Sequence, residues 1–221
     1  IAIDGPAGAG KSTIARAVAQ KLGYIYVDTG ALYRAIGLAV LEQGGDTSDP
    51  ETVAPALKQM QIEIRFINGE QRVILNGRDV SSDIRRNEIS MAASNVSAIP
   101  AVREFLFDLQ RSFAEKNNVV LDGRDIGTVV LPDAQVKIFL TATPEERARR
   151  RHLELIQKGQ QVEYDTLLKE VRQRDYNDSH RAIAPLKQAD DAMLVDTTGN
   201  EMQESIDQIL KIIEKRLRDA V

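Results

Sequence analysis

The chain has 221 residues, 43% hydrophobic and 28% charged, with a net charge of −4, which is enough for one substantial core and a small insertion. Without cysteine there is no disulfide framework and no thiolate metal site, and no apolar run is long enough to span a bilayer, so a cytoplasmic protein with no membrane partner is expected. The acidic balance argues against a nucleic-acid polymer as partner, yet arginine supplies nineteen of the 29 basic residues and ten of those lie between Arg103 and Arg181, which suggests a small anionic ligand gripped in a concentrated site.

In chain order, Ile1 to Ile3 predicts a buried strand, followed by a glycine loop that fits G-x-x-x-x-G-K-[ST] from Gly5 to Ser12. An apolar-periodic helix follows from Ser12 to Leu22 and ends at Gly23. Strand, loop and helix N-terminus are the context in which such a loop binds phosphate through its N–H groups and the helix dipole. Gly5, Pro6, Ala7, Gly8, Ala9, Gly10, Lys11, Ser12 and Thr13 therefore form a candidate site for a nucleoside triphosphate. Lys11 is placed to reach the β- and γ-phosphates, and the Ser12 hydroxyl to ligate Mg²⁺.

Tyr24 to Val27 predicts a second strand, closed by Asp28-Thr29-Gly30, and Ala31 to Gln43 a helix with Tyr33 and Arg34 in its first turn. A cation there opposes the helix dipole, so Arg34 is a candidate anion ligand. After Gly44-Gly45-Asp46, a short helix opens at Pro50 and runs to about Met60. The texture then alternates from Gln61 to Phe66 and from Arg72 to Leu75, with Asn68-Gly69 and Asn76-Gly77 as hairpin turns. Residues 61–83 read as a small antiparallel insertion. Two helices follow, Ile84 to Val96 and Ala101 to Glu115, either side of Pro100.

Val119 to Leu121 predicts the third buried strand, running into Asp122-Gly123-Arg124-Asp125, and Val136 to Leu140 the fourth. Asp122 at a strand end is a candidate for the Mg²⁺ shell, through water. Arg124 and Asp125 together offer a cation for phosphate and an acceptor for an amino group. Thr143 and Pro144 start a helix bearing Arg147, Arg149, Arg150 and Arg151. Spacing puts Arg147 and Arg151 on one face, and the density suggests a mobile lid that brings arginine to a transferring phosphoryl. After Gly159, a helix from Tyr164 to Asp178 carries Arg174 and Asp178, with Arg181 just beyond. His152 and His180 read as ordinary surface histidines. Ala192 to Val195 is the last strand, and Met202 to Leu217 the last helix. Five apolar strands alternating with helices give an α/β fold: a P-loop three-layer αβα architecture with a five-stranded parallel sheet, a small antiparallel β insertion and a helical lid. No apolar surface stripe is left over, which predicts a monomer.

Assembled, these residues resemble the bacterial-type cytidylate (CMP) kinases, within the nucleoside monophosphate kinases. The specific parts are Ile3-Asp4-Gly5-Pro6 leading into the loop, Asp28 to Arg34, the hairpin insertion, Asp122 to Thr128, and Arg174 with Asp178 and Arg181 ahead of Ala184-Pro185. The resemblance implies that the triphosphate held by Gly5 to Thr13 is ATP, and that the γ-phosphoryl of MgATP is transferred to CMP or dCMP. It implies that Ser94, Arg103 and Asp125 read the cytosine, and that Thr29, Tyr33, Arg34 and Arg124 surround the base or its phosphate. Arg174 and Asp178 would meet the sugar, with Arg181 near the acceptor. Lys11, Arg124, Arg151 and Arg181 are assigned to catalysis, although the resemblance does not say which lid arginine touches the phosphoryl. It also divides the chain into a core (1–60, 84–146, 182–221), an insertion (61–83) and lid helices (147–181). Kinases of UMP, AMP or shikimate share the loop. A regulatory GTPase would carry an Asn-Lys-x-Asp motif, which the sequence lacks.

Overall fold

The computed structural model describes residues 1–219. In chain order, its first elements are Ala2–Asp4 (β1), Lys11–Leu22 (α1), Ile25–Asp28 (β2), Gly30–Glu42 (α2), Pro50–Leu57 (α3), Ile62–Ile67 (β3), Glu70–Leu75 (β4), Arg78–Asp79 (β5), Ile89–Ser97 (α4) and Pro100–Lys116 (α5). Then come Val119–Gly123 (β6), Lys137–Thr141 (β7), Pro144–Gln157 (α6), Tyr164–His180 (α7), Met193–Asp196 (β8) and Met202–Asp219 (α8).

The five apolar runs form one sheet of order β2-β6-β1-β7-β8, and β3, β4 and β5 form a separate three-stranded sheet. Strand β1 runs parallel to both β6 and β7, with Ala2 opposite Leu121 on one side and Lys137 on the other. The glycine loop therefore leaves the central strand where the chain order reverses, the position at which open α/β sheets bind ligands. Strands β1 and β6 are buried on both faces, which is why they read as continuous apolar runs rather than alternating ones, whereas Leu194 of edge strand β8 is exposed.

Two compact units carry these elements: residues 1–26 with 118–221, and residues 27–117. The first has a core of Ile3, Ile14, Val18, Val120, Ile138, Leu140, Val195, Ile209 and Ile213. Helix α6 starts as its sequence dictates: Thr143 Oγ1 accepts from Glu146 N at 3.3 Å and Pro144 sits at the first position. The second unit has a core of Leu32, Ile36, Val53, Leu57, Ile84, Ile89, Val96 and Leu106. Ile62, Val73, Leu75 and Val80 of the antiparallel insertion are part of that same core, so its packing makes the insertion one face of this unit.

One expected helix starts late. The stretch from Ile84 is a single 3-10 turn, Asp83–Arg85; Arg86 is extended, and the helix begins at Ile89. The apolar spacing of Ile84 and Ile89 is satisfied by burial of both without a continuous helix. Among the described residues no helix is long and apolar enough to cross a membrane.

Helices α2 and α4 approach closely at Gly37, where a Cβ would sit 3.0 Å from Ala92 Cβ and 3.1 Å from the Ala92 carbonyl carbon. Gly37→Val is expected to destabilise the second unit by about 1–3 kcal/mol through overpacking, read as a lower urea midpoint. An unchanged midpoint would contradict the close approach.

Candidate active site

The glycine loop is shaped by positive φ angles at Gly5, Gly8 and Gly10. Gly5 is the strictest of these: a Cβ there would lie 1.9 Å from the Leu140 carbonyl oxygen. The loop's peptide planes are then fixed by side chains. Arg147 Nη1 donates to Ala7 O at 3.0 Å, Thr197 Oγ1 to Ala9 O at 3.4 Å, and Lys11 Nζ to Pro6 O at 2.7 Å. Carbonyls held in this way set which direction the intervening N–H groups face, and a loop of this kind aims them at an anion. Helix α1 begins at Lys11, so its N-terminal dipole points into the same space.

Ser12 Oγ donates to Asp122 Oδ2 at 2.8 Å, and Tyr26 OH to Asp122 Oδ1 at 3.2 Å. A hydroxyl and a carboxylate at this separation are hard oxygen donors of the type Mg²⁺ takes. Ser12 and Asp122 thus stand within hydrogen-bond distance of each other.

Past β6 the chain turns sharply. Asp4, at the end of β1, accepts from Ile126 N at 2.8 Å and Gly127 N at 2.7 Å. One buried carboxylate therefore joins the strand that feeds the phosphate loop to the segment that carries Arg124 and Asp125. Burial pushes the Asp4 carboxyl up to about 6, the two N–H groups hold it down, and Asp125 adds to the rise.

Arg124 Nε donates to Asp178 Oδ2 at 2.9 Å, Arg174 Nε lies 4.0 Å from the same oxygen, and Arg181 Nη2 lies 3.5 Å from Asp125 Oδ1. Asp178 and Asp125 are both buried. Burial works against ionisation of Asp178, but Arg124, Arg174 and Arg181 outweigh it and hold the carboxyl below its usual range. Lys11 is pushed well below the ordinary lysine range, first by burial and then by Arg124. An entering phosphate would relieve that penalty.

The run of arginines on α6 divides by function. Arg147 is buried: Nε donates to Ala142 O at 2.8 Å, and both terminal nitrogens engage Asp175 of α7. Arg150 donates to Thr197 O at 2.6 Å and shares Glu146 with Arg149. Arg151 pairs with Glu154 at 2.8 Å. The sequence missed Asp175, Thr197 and the structural part of Arg147. Nothing local marks Asp175, because its partner lies 28 residues away.

In the second unit, Thr29 is buried just ahead of α2, and Asp28 Oδ1 accepts from Ala31 N at 3.1 Å, which caps that helix. Arg34 donates to Ile84 O at 3.1 Å and to Ser90 Oγ at 2.9 Å. Arg103 lies over the Tyr33 ring and donates to Ser97 O, and the Ser94 carbonyl accepts from Ser97 Oγ. Thr29, Tyr33, Arg34, Ser94 and Arg103 belong to this unit, and Lys11, Ser12, Asp122, Arg124, Asp125, Arg174, Asp178 and Arg181 to the first.

Comparison with known proteins gives a family. A family model described as cytidylate kinase matches residues 1–215. The chain is 51% identical to a protein named cytidylate kinase from Caldicellulosiruptor saccharolyticus, over 100% of this chain and 98% of that one. It is 50% identical to one of the same name from Bacillus subtilis, over 99% and 97%. Among solved structures, the crystal structure of an uncharacterised protein from Eubacterium ventriosum matches with a TM-score of 0.52 at 15% identity, covering 97% of each chain, a likeness of fold.

The raised Asp4 carboxyl makes a pH prediction. A group whose folded pKa is raised from 3.8 to about 6 binds its proton more tightly when folded. Its contribution to stability is therefore greatest below pH 4 and is lost as pH rises through 6, by about 3 kcal/mol. Asp4→Asn should remove that decline between pH 4 and 6.5 in urea melts; parallel curves for both proteins would contradict it.

Proposed function

The chain belongs to the cytidylate kinase family, and from that premise we propose that it transfers the γ-phosphoryl of ATP to CMP or dCMP, giving the nucleoside diphosphate and ADP. The observation that carries this reading is the arginine–aspartate cluster of Arg124, Arg174, Asp178, Asp125 and Arg181 in the same unit as the phosphate loop. A hydrolase or a switch needs the loop and a water. A transfer between two nucleotides needs a second set of cations for the acceptor's phosphate, and the acceptor oxygen, already ionised near neutral pH, needs no strong general base.

Residues 5–13 cradle the triphosphate in this reading, with Lys11 on the β- and γ-phosphates. Ser12 and Asp122, the latter through water, would hold Mg²⁺, which screens phosphate charge when bound. Arg124 and Arg181 draw the acceptor phosphate towards Lys11. Arg174 and Asp178 meet the sugar. Thr29, Tyr33, Arg34, Ser94 and Arg103 are proposed as further ligands of the base and phosphate. Asp125 accepts from the cytosine N4 amino group, which uracil lacks. Arg151 is proposed as the lid arginine that reaches the phosphoryl, since it lies one helical turn beyond Arg147, whose guanidinium already touches the loop. Helices α6 and α7 are proposed to act as the lid, and the protein to act as a monomer.

A coupled assay of ADP release, run with CMP, dCMP, UMP, AMP and shikimate, tests the substrate. CMP and dCMP should stimulate turnover most, and no stimulation by millimolar CMP would refute the reading. Lys11→Ala should lower kcat by about 100-fold or more while the far-UV spectrum stays native; an unchanged kcat would remove the loop's role. Asp125→Ala should lower kcat/KM for CMP by about 100-fold and for UMP much less, whereas equal losses would show that Asp125 does not read the base.

A further inference from the structure

The inserted antiparallel sheet holds a contact that a merely decorative insertion would not need. Gln71 of β4 pairs its side-chain amide with both peptide groups of one residue: Asp28 N donates to Gln71 Oε1 at 2.8 Å, and Gln71 Nε2 donates to Asp28 O at 3.1 Å. This is the pattern by which one strand residue pairs with its neighbour, made here by a side chain. Asp28 is the residue before Thr29. Its own carboxylate accepts from Ala31 N and lies 3.7 Å from Arg85 Nη2. Backbone and side chain of Asp28 are thus both fixed at the entrance to α2, the helix that places Tyr33 and Arg34. The inner face of the insertion is anchored independently, because Ile62, Val73 and Leu75 are buried in the core of the unit. The core-packed sheet can therefore hold Gln71 in place, and Gln71 can hold the turn.

We propose that Gln71 is a positioning residue for the acceptor nucleotide, and that the insertion serves as a splint setting the Asp28–Thr29–Gly30 turn, and with it Thr29 and Arg34, in the geometry that binds CMP. This deepens the CMP-kinase reading and rests on it. The pairing restrains a backbone segment that would otherwise have to order itself when the nucleotide binds. Its loss should therefore weaken acceptor binding and leave the phosphate loop of the other unit alone.

The test uses the full chain with Gln71→Leu, which keeps bulk and removes both hydrogen bonds, and Gln71→Glu, which keeps the acceptor but sets a carboxylate oxygen against the Asp28 carbonyl. Arg78→Ala serves as control: it breaks the exposed ion pairs of Arg78, on the same sheet, with Glu42 at the end of α2 and with Asp83, and leaves Gln71 in place. Gln71→Leu should raise KM for CMP about ten-fold, the effect of two net hydrogen bonds, and Gln71→Glu about as much through one lost hydrogen bond and the oxygen–oxygen repulsion, each with KM for ATP within two-fold of wild type. Arg78→Ala should leave both constants unchanged. Hydrogen exchange without any nucleotide supplies a readout free of the activity: amides of residues 28–31 should exchange about ten-fold faster in Gln71→Leu, and those of residues 11–14 at the wild-type rate. A lowered melting temperature with KM for CMP unchanged would reduce Gln71 to a stability contact and overturn the proposal, as would unchanged exchange at 28–31. A wild-type protein that turns over no CMP would refute the substrate assignment, and the exchange rates would still decide whether Gln71 fixes the turn.

Discussion

The site depends on one electrostatic constraint: several cations stand close together beside a loop built to receive more negative charge, and buried or half-buried carboxylates hold them there. Arg124, Arg174 and Arg181 face Asp178 and Asp125, Arg147 faces Asp175, and Lys11 lies among Asp122, Asp4 and Arg124. Neighbouring like charges in a medium less polar than water repel by several kcal/mol, so the arginines could not be preorganised without these aspartates. The downward shifts of Asp178, whose ionised form the arginines favour, and of Lys11, whose charged form burial and then Arg124 disfavour, are two sides of that balance. Phosphates entering this setting strengthen what the carboxylates already do, and water needs little reorganisation.

The second layer is mechanical. Asp4 ties the central strand to the loop that bears Arg124 and Asp125, Arg147 ties the phosphate loop to α6 and α7, and Gln71 ties the inserted sheet to the start of α2. Each tie uses a side chain to fix backbone, which is how a site on loops acquires the precision of a site on strands. The insertion, puzzling on topology alone, acquires a purpose in this scheme.

The parts of this arrangement that depend on local sequence were legible in advance. The glycine loop, the buried strands, the capped start of α6 and the two Asn-Gly turns each follow from residues within a few positions of one another. Ser12 and Asp122 could be paired because the sheet order follows from the fold class. Asp175, Thr197, Gln71 and the role of Asp4 were not legible, since their partners lie 28 to 188 residues away and an aspartate or glutamine looks the same whether it meets water or a peptide. The helix expected from Ile84 failed for a related reason: burial of Ile84 and Ile89 decided the backbone there, and helical spacing alone could not reveal the extended Arg86 between them.

The central claim is that the arginine cluster beside the loop exists to grip the acceptor's phosphate. The most direct measurement is calorimetric titration of the protein with CMP and with cytidine, which share base and sugar and differ only in that phosphate. The account predicts that cytidine binds at least about 100-fold more weakly than CMP, a difference of roughly 3 kcal/mol. Equal affinity for the two would show that the arginines serve the fold and not the substrate, and would contradict the account.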